Sequence, residues 1–197
     1  MFIEPVPEET ATGAIAEIYE DDRQHLGYVP GYTKAFSHHP EAYLAWRQLI
    51  GAIRGQMDLR RCELATLAAA RVLRSDYCSV AHAKILRDKF YDEETVRKIA
   101  SDPRQAVLDE TDVAVIEFAE KSARSAVSVT GADIEKLKAL GLSDREILDV
   151  VLAVAARCFF ATVLETLGAE PDAQLTGALG PELLKEVLVG RSGGVGD

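Results

Sequence analysis

No stretch of this chain alternates polar and apolar residues long enough to build a sheet, whereas apolar residues at helical spacing recur from end to end. That pattern predicts an all-α class, and the punctuation between the apolar runs divides it into helices. Ile15, Ile18 and Tyr19 share one face of a first helix that stops near Gly27, and the VPGY segment at 29–32 reads as a turn. A second helix starts after Pro40 and points Tyr43, Leu44, Trp46, Leu49, Ile50 and Ile53 inward. Asp58 is the expected N-cap of a third, LRRCELATLAAARVL, and Ser75 of a fourth, SDYCSVAHAKILRDKF. Asp92 and Thr111 open two more, the second carrying Val113, Ile116, Phe118 and Ala119. Thr130 starts a short helix closed at Gly141, where a left-handed residue is needed. Ser143 and Glu146 form a capping box that launches a long apolar helix to about Leu167, and Pro181 begins a last short one. One domain is expected over 1–175, followed by a short C-terminal helix and a flexible Gly-rich tail over 176–197.

Charge narrows the partners. The 197 residues carry a formal net charge of −10, so phosphate backbones and anionic membranes are poor partners, and no nucleic acid or membrane is expected. The longest apolar run, Val150 to Leu164, is interrupted by Arg157 and reads as too short for a bilayer. The first residues lack the basic and apolar regions of a secretory signal, so the expected location is cytoplasmic. Cysteines stand at 62, 78 and 158, an odd number with no Cys-x-x-Cys pair, which predicts reduced thiols rather than disulfides or a zinc site. The long helix over 143–167 has too few polar residues for a solvent-facing side, which predicts a homo-oligomer.

The residues that carry chemistry are Glu63, Ser75, Tyr77, Cys78 and His82. Cys78 falls in the first turn of its helix, where unpaired N–H groups and the positive end of the dipole favour an anion. His82, four residues on, shares that face and can accept the thiol proton. Glu63, on the preceding helix across the tight connection at Arg74 to Asp76, can lie beside the imidazole and fix its tautomer. Each residue also has a plain role: core thiol, packing imidazole, or a carboxylate paired with Arg60 or Arg61. His38 and His39, before Pro40, look metal-like but read as exposed, and His25 as a partner of its helix C-terminus. A metal held by Glu63, Cys78 and His82 is a minor alternative, so no metal or cofactor is assigned. A weak internal echo lays Leu59 onto Leu142, so that Glu63 meets Glu146, Cys78 meets Ala161 and His82 meets Glu165.

The segment from Glu63 to His82 resembles the alkylhydroperoxidase D / carboxymuconolactone decarboxylase superfamily. Its signature is a Glu, eleven residues, Cys-x-x-Cys, three residues and a His, and Glu63, Cys78 and His82 fall in that register with Ser75 in place of the first Cys. ATGAIAEIYE, HPEAYLAW and GLSDREILDVVLAVAARCFFATVLETLGAEPD extend the likeness to the peroxidase-related branch, over about Ala11 to Asp172. The resemblance implies a bundle of helical hairpins that oligomerises. It also implies an antioxidant, peroxidase-type oxidoreductase without metal, haem or flavin, in which Cys78 attacks the peroxide and Glu63 and His82 relay protons. Tyr77 would sit where a polar relay residue can stand. Ser75 cannot resolve a sulfenic acid, so an external thiol is the expected reductant and the substrate a small peroxide or another electrophile. Two rivals remain: an acid–base enzyme of the carboxymuconolactone decarboxylase type, and a non-catalytic redox-sensing subunit.

Overall fold

A computed structural model describes residues 1–192, and among these there is no strand. Eleven α-helices follow one another: α1 Ala14–Leu26, α2 Gly31–Ala35, α3 Pro40–Arg54, α4 Leu59–Val72, α5 Asp76–Lys89, α6 Glu93–Ser101, α7 Glu110–Arg124, α8 Gly131–Ala139, α9 Asp144–Leu167, α10 Ala173–Thr176 and α11 Pro181–Val187. The helix α4 runs through the middle, packed by α5, α7 and α9. Its sequence explains this place. Leu64, Ala65, Leu67, Ala68, Ala69 and Ala70 are all buried, so it has little solvent face, and the alanines let three neighbours approach closely.

Capping fixes most helix starts. Asp58, Ser75, Asp92 and Ser143 accept the expected backbone N–H groups, the last within a capping box with Glu146. Thr130 also closes a capping box, with Asp133. Glycines in the left-handed region end α1 at Gly27 (φ 82°) and α9 at Gly168 (φ 66°). Gly141 (φ 93°) follows α8 in the same conformation. Between α4 and α5 the left-handed residue is Arg74 (φ 54°), which carries a Cβ and pays for the turn through its side chain: Nε donates to the Val189 carbonyl at 3.1 Å. Ser75 N donates back to Ala70 O at 2.9 Å, and this tight reversal places Ser75 at the head of α5.

Several boundaries differ from the sequence expectation. The helix α7 starts two residues early, because Asp109 rather than Thr111 accepts the free N–H of the first turn, from Asp112 at 2.7 Å. The VPGY turn runs straight into α2 at Gly31, whose N–H donates to Asp172 Oδ1 at 3.0 Å. On α3 the inward stripe is Tyr43, Trp46, Ile50 and Ile53; Leu44 and Leu49 lie beside it and are exposed. The internal echo does not describe a repeated hairpin, since α9 continues unbroken through the positions where its counterpart turns at 73–75. Past residue 175, Leu179, Leu183 and Val187 belong to the main core, with α11 packed beside α5 and α6. The start of the tail is tied down too, Gly190 N and Ser192 N donating to the buried Asp76 carboxylate at 2.6 and 2.7 Å. The rest of the expected flexible tail, 193–197, lies outside the described residues. By length and composition α9 could cross a membrane, contrary to the shorter reading, yet 56% of its most apolar window is buried inside this fold.

Candidate active site

A cavity of about 570 Å³ opens between α1, α3, α5 and α9, and Cys78 and His82 both line it. Their common face follows from the spacing of four on α5. Ser75 Oγ accepts the Cys78 N–H at 3.4 Å, so the serine starts the helix and sets the thiol in its first turn. Across from α5, Glu63 on α4 is 1% exposed, and its Oε2 lies 2.5 Å from His82 Nδ1. A carboxylate only accepts, so Nδ1 carries the proton and Nε2 is left as the basic nitrogen. Nε2 makes no hydrogen bond to the described residues.

Two arginines complete the centre. Arg54 Nη2, from the end of α3, forms an ion pair with Glu63 Oε1 at 2.8 Å. Arg157, from the middle of α9, places Nη1 3.2 Å from Cys78 Sγ and lies over the Phe160 ring. Burial and the nearby Arg157 cation hold the His82 imidazole below its ordinary pKa, against the pull of Glu63. Burial alone would raise the Glu63 carboxyl, but His82, Arg54 and Arg157 together keep it below the usual range. The resting dyad is therefore a carboxylate and a neutral imidazole, an arrangement that can take a proton from a thiol.

The walls above this centre are aromatic. Trp46 stacks on Phe160 with ring centroids 4.0 Å apart, and Tyr32 and Tyr43 stand beside them. His25 and Arg47 line the cavity as well; both engage Asp21, the imidazole through the carbonyl at 2.8 Å.

Of the residues singled out in the sequence, Glu63 and His82 are in contact, and Cys78 lines the same cavity as His82. Tyr77 contributes its ring to the cavity, but its hydroxyl donates to Asp172 and accepts the Tyr32 N–H at 3.3 Å. Burial and Asp172 push that phenol up, so it stays a donor and a tether. Ser75 does not line the cavity; its side chain lies beside Glu165. Cys62 is buried among Ile53, Ala153 and Ala156, and Cys158 is half-buried; burial raises both thiols. His38 and His39 do structural work, bonding Glu4 O at 2.8 Å and capping α3. Among the described residues no three His, Cys, Asp or Glu side chains are grouped to hold a metal.

Sequence reasoning missed Arg54, Arg157 and the aromatic walls. The sequence does carry a signal for Arg157, a lone charge inside an otherwise apolar stretch. Arg54 gave none, because a basic residue closing a helix is ordinary.

Residues 40–121 match the carboxymuconolactone decarboxylase family. The chain is similar to an alkylhydroperoxidase AhpD core, a peroxidase-related protein of Ralstonia eutropha JMP134. That likeness has 21% identity and a TM-score of 0.80, over 88% of this chain and 93% of that one. It is also similar to a peroxidase-related protein of Silicibacter sp. TM1040, at 24% identity and a TM-score of 0.75, over 89% and 91% of the two chains. A third similar structure is a cysteine-to-alanine variant of the debrominase Bmp8 in complex with 2,3,4-tribromopyrrole, at 14% identity and a TM-score of 0.74, over 90% and 95%. No curated protein sequence matches. The matched segment and the fold point the same way: residues 40–121 match the carboxymuconolactone decarboxylase family, and the chain has the all-α fold of the alkylhydroperoxidase D-like, peroxidase-related structures it is similar to.

Proposed function

We propose that this protein is a thiol-dependent oxidoreductase that reduces an organic hydroperoxide at Cys78 in a one-cysteine cycle. The observation that carries the reading is the meeting, on one cavity, of the Cys78 thiol with a His82 whose second nitrogen is already bound by Glu63. His82 Nε2 takes the thiol proton. The sulfur attacks the distal peroxide oxygen, the S–O bond forms as the O–O bond breaks, and the departing alkoxide takes the proton from His82 to leave as an alcohol. Sulfur is oxidised by two electrons and the peroxide reduced by two. One external thiol then displaces water to give a mixed disulfide, and a second releases Cys78 as the thiol. Ser75 offers no sulfur for an internal resolving step, so both electrons come from outside. The size and aromatic walls of the cavity favour an organic peroxide over hydrogen peroxide. The bromopyrrole complex of the similar debrominase extends the electrophiles worth testing to flat halogenated rings.

The family match on residues 40–121 favours one rival, acid–base chemistry on a lactone carboxylate by Glu63 and His82 with Cys78 as a bystander. Thiol-coupled consumption of cumene hydroperoxide by wild type and Cys78→Ser separates them. Loss of turnover in the variant supports the proposal. Wild-type oxidation at Cys78 without turnover selects a redox-sensing subunit, and no peroxide-driven oxidation of Cys78 leaves the acid–base reading in front.

A further inference from the structure

On the reading that Cys78 is the reacting thiol, we propose that Arg157 is a catalytic residue: its guanidinium holds the Cys78 sulfur as an anion before attack and holds the sulfenate after it. Arg157 is 5% exposed and forms no ion pair with a carboxylate among the described residues. Its Nε is buried without a hydrogen-bond partner, and Nη1 faces Cys78 Sγ. Glu63 is near enough to feel this cation but makes no ion pair with it, and a buried guanidinium with five donors and no anion in direct contact is costly, so the site has a donor set left for an anion at the sulfur.

The charged groups around the sulfur leave that part to Arg157 alone. Glu63 on α4 is engaged by His82 and by Arg54 of α3. Asp22 on α1 also lines the cavity, but burial raises its carboxyl toward the neutral form. His82, on the thiol's own helix, is kept neutral by burial and by Arg157 itself. The same cation thus faces the sulfur and keeps the base able to receive its proton. It also answers the departure at Ser75. A sulfenate with no thiol three residues away must persist until an external thiol arrives, and Arg157 supplies a hydrogen-bonded counter-charge meanwhile.

The test follows the rate of Cys78 alkylation by iodoacetamide against pH, read by peptide mass spectrometry, with no peroxide present. Arg157→Gln should slow the reaction at neutral pH by about tenfold to a hundredfold, the loss expected for a hydrogen bond to a charged group, and move the profile to higher pH. Arg157→Lys, which keeps the charge, should recover most of that rate. A folded Arg157→Gln protein whose profile overlays wild type overturns the inference. If the glutamine variant does not fold, the unmodified protein decides. Beside a cation, anionic iodoacetate should gain on iodoacetamide at Cys78 relative to the same ratio on free cysteine. A ratio no higher than that of free cysteine overturns the inference. Because alkylation needs no turnover, a wild type that fails to reduce peroxides but passes these tests loses the proposed reaction and keeps the role of Arg157.

Discussion

His82 is held neutral in the folded protein, and that has a thermodynamic consequence. Its folded pKa lies below the ordinary value of about 6.5, so at mildly acid pH the unfolded chain binds a proton that the folded chain refuses. Stability from this residue is therefore complete above about 6.5 and is lost as pH falls from there toward the folded value. Glu63 acts in the same direction lower down: its folded pKa is depressed, so its contribution is lost as pH falls below the ordinary carboxylate range. Urea unfolding at pH 7.5 and pH 5.5 should show wild type losing about 1 kcal/mol through the His82 window, and His82→Gln losing none of that part. Equal pH slopes in the two proteins would mean that the fold does not hold His82 below its ordinary value. Glu63, Cys78 and His82 were legible in the sequence because their spacing is a geometric statement once helices are granted. Arg157 was not, since a helix position says nothing about which distant thiol it will face.

At the level of elements, the bond from Tyr77 on α5 to Asp172 just before α10, shared with Gly31 at the start of α2, ties three short pieces together over the cavity. Tyr77→Phe removes a hydrogen bond to a charged group and should cost about 2 kcal/mol, measured by urea unfolding. A relay role would instead appear as a drop in Cys78 alkylation comparable to that of removing His82, and that outcome would return Tyr77 to the chemistry. Helices with side-chain caps were read nearly to the residue: Ser75, Asp92 and Ser143 each mark a true start. The short helices were not. Neither α2 nor α10 has a side-chain cap, and α2 is held through Gly31 by Asp172, the residue just before α10, a long-range bond that no local pattern reveals. The same limit hid the exposure of Leu44 and Leu49. Periodicity finds a helix but assigns its inward face only to within a residue or so when apolar side chains flank the stripe.

At the scale of the whole molecule, α9 carries an apolar surface. Its outer face presents Leu148, Val151, Leu152 and Phe159 to solvent at spacings of three, four and seven. Scattered exposed apolar residues are common, but a stripe along about three turns of one helix is what an interface between copies looks like. The inner side of the same helix carries Arg157 and Phe160 into the cavity, so an interface on the outer side would brace the site from behind. We therefore expect a homo-oligomer at micromolar concentration, measured by size-exclusion chromatography with light scattering. Leu152→Glu combined with Phe159→Glu should shift it toward the monomer, because two carboxylates would have to be buried unpaired on assembly. Far-UV circular dichroism should stay unchanged, since both side chains are outside the core of the protomer. A wild type that elutes and scatters as a clean monomer would remove the expectation, and would leave the apolar stripe as a surface for some other partner.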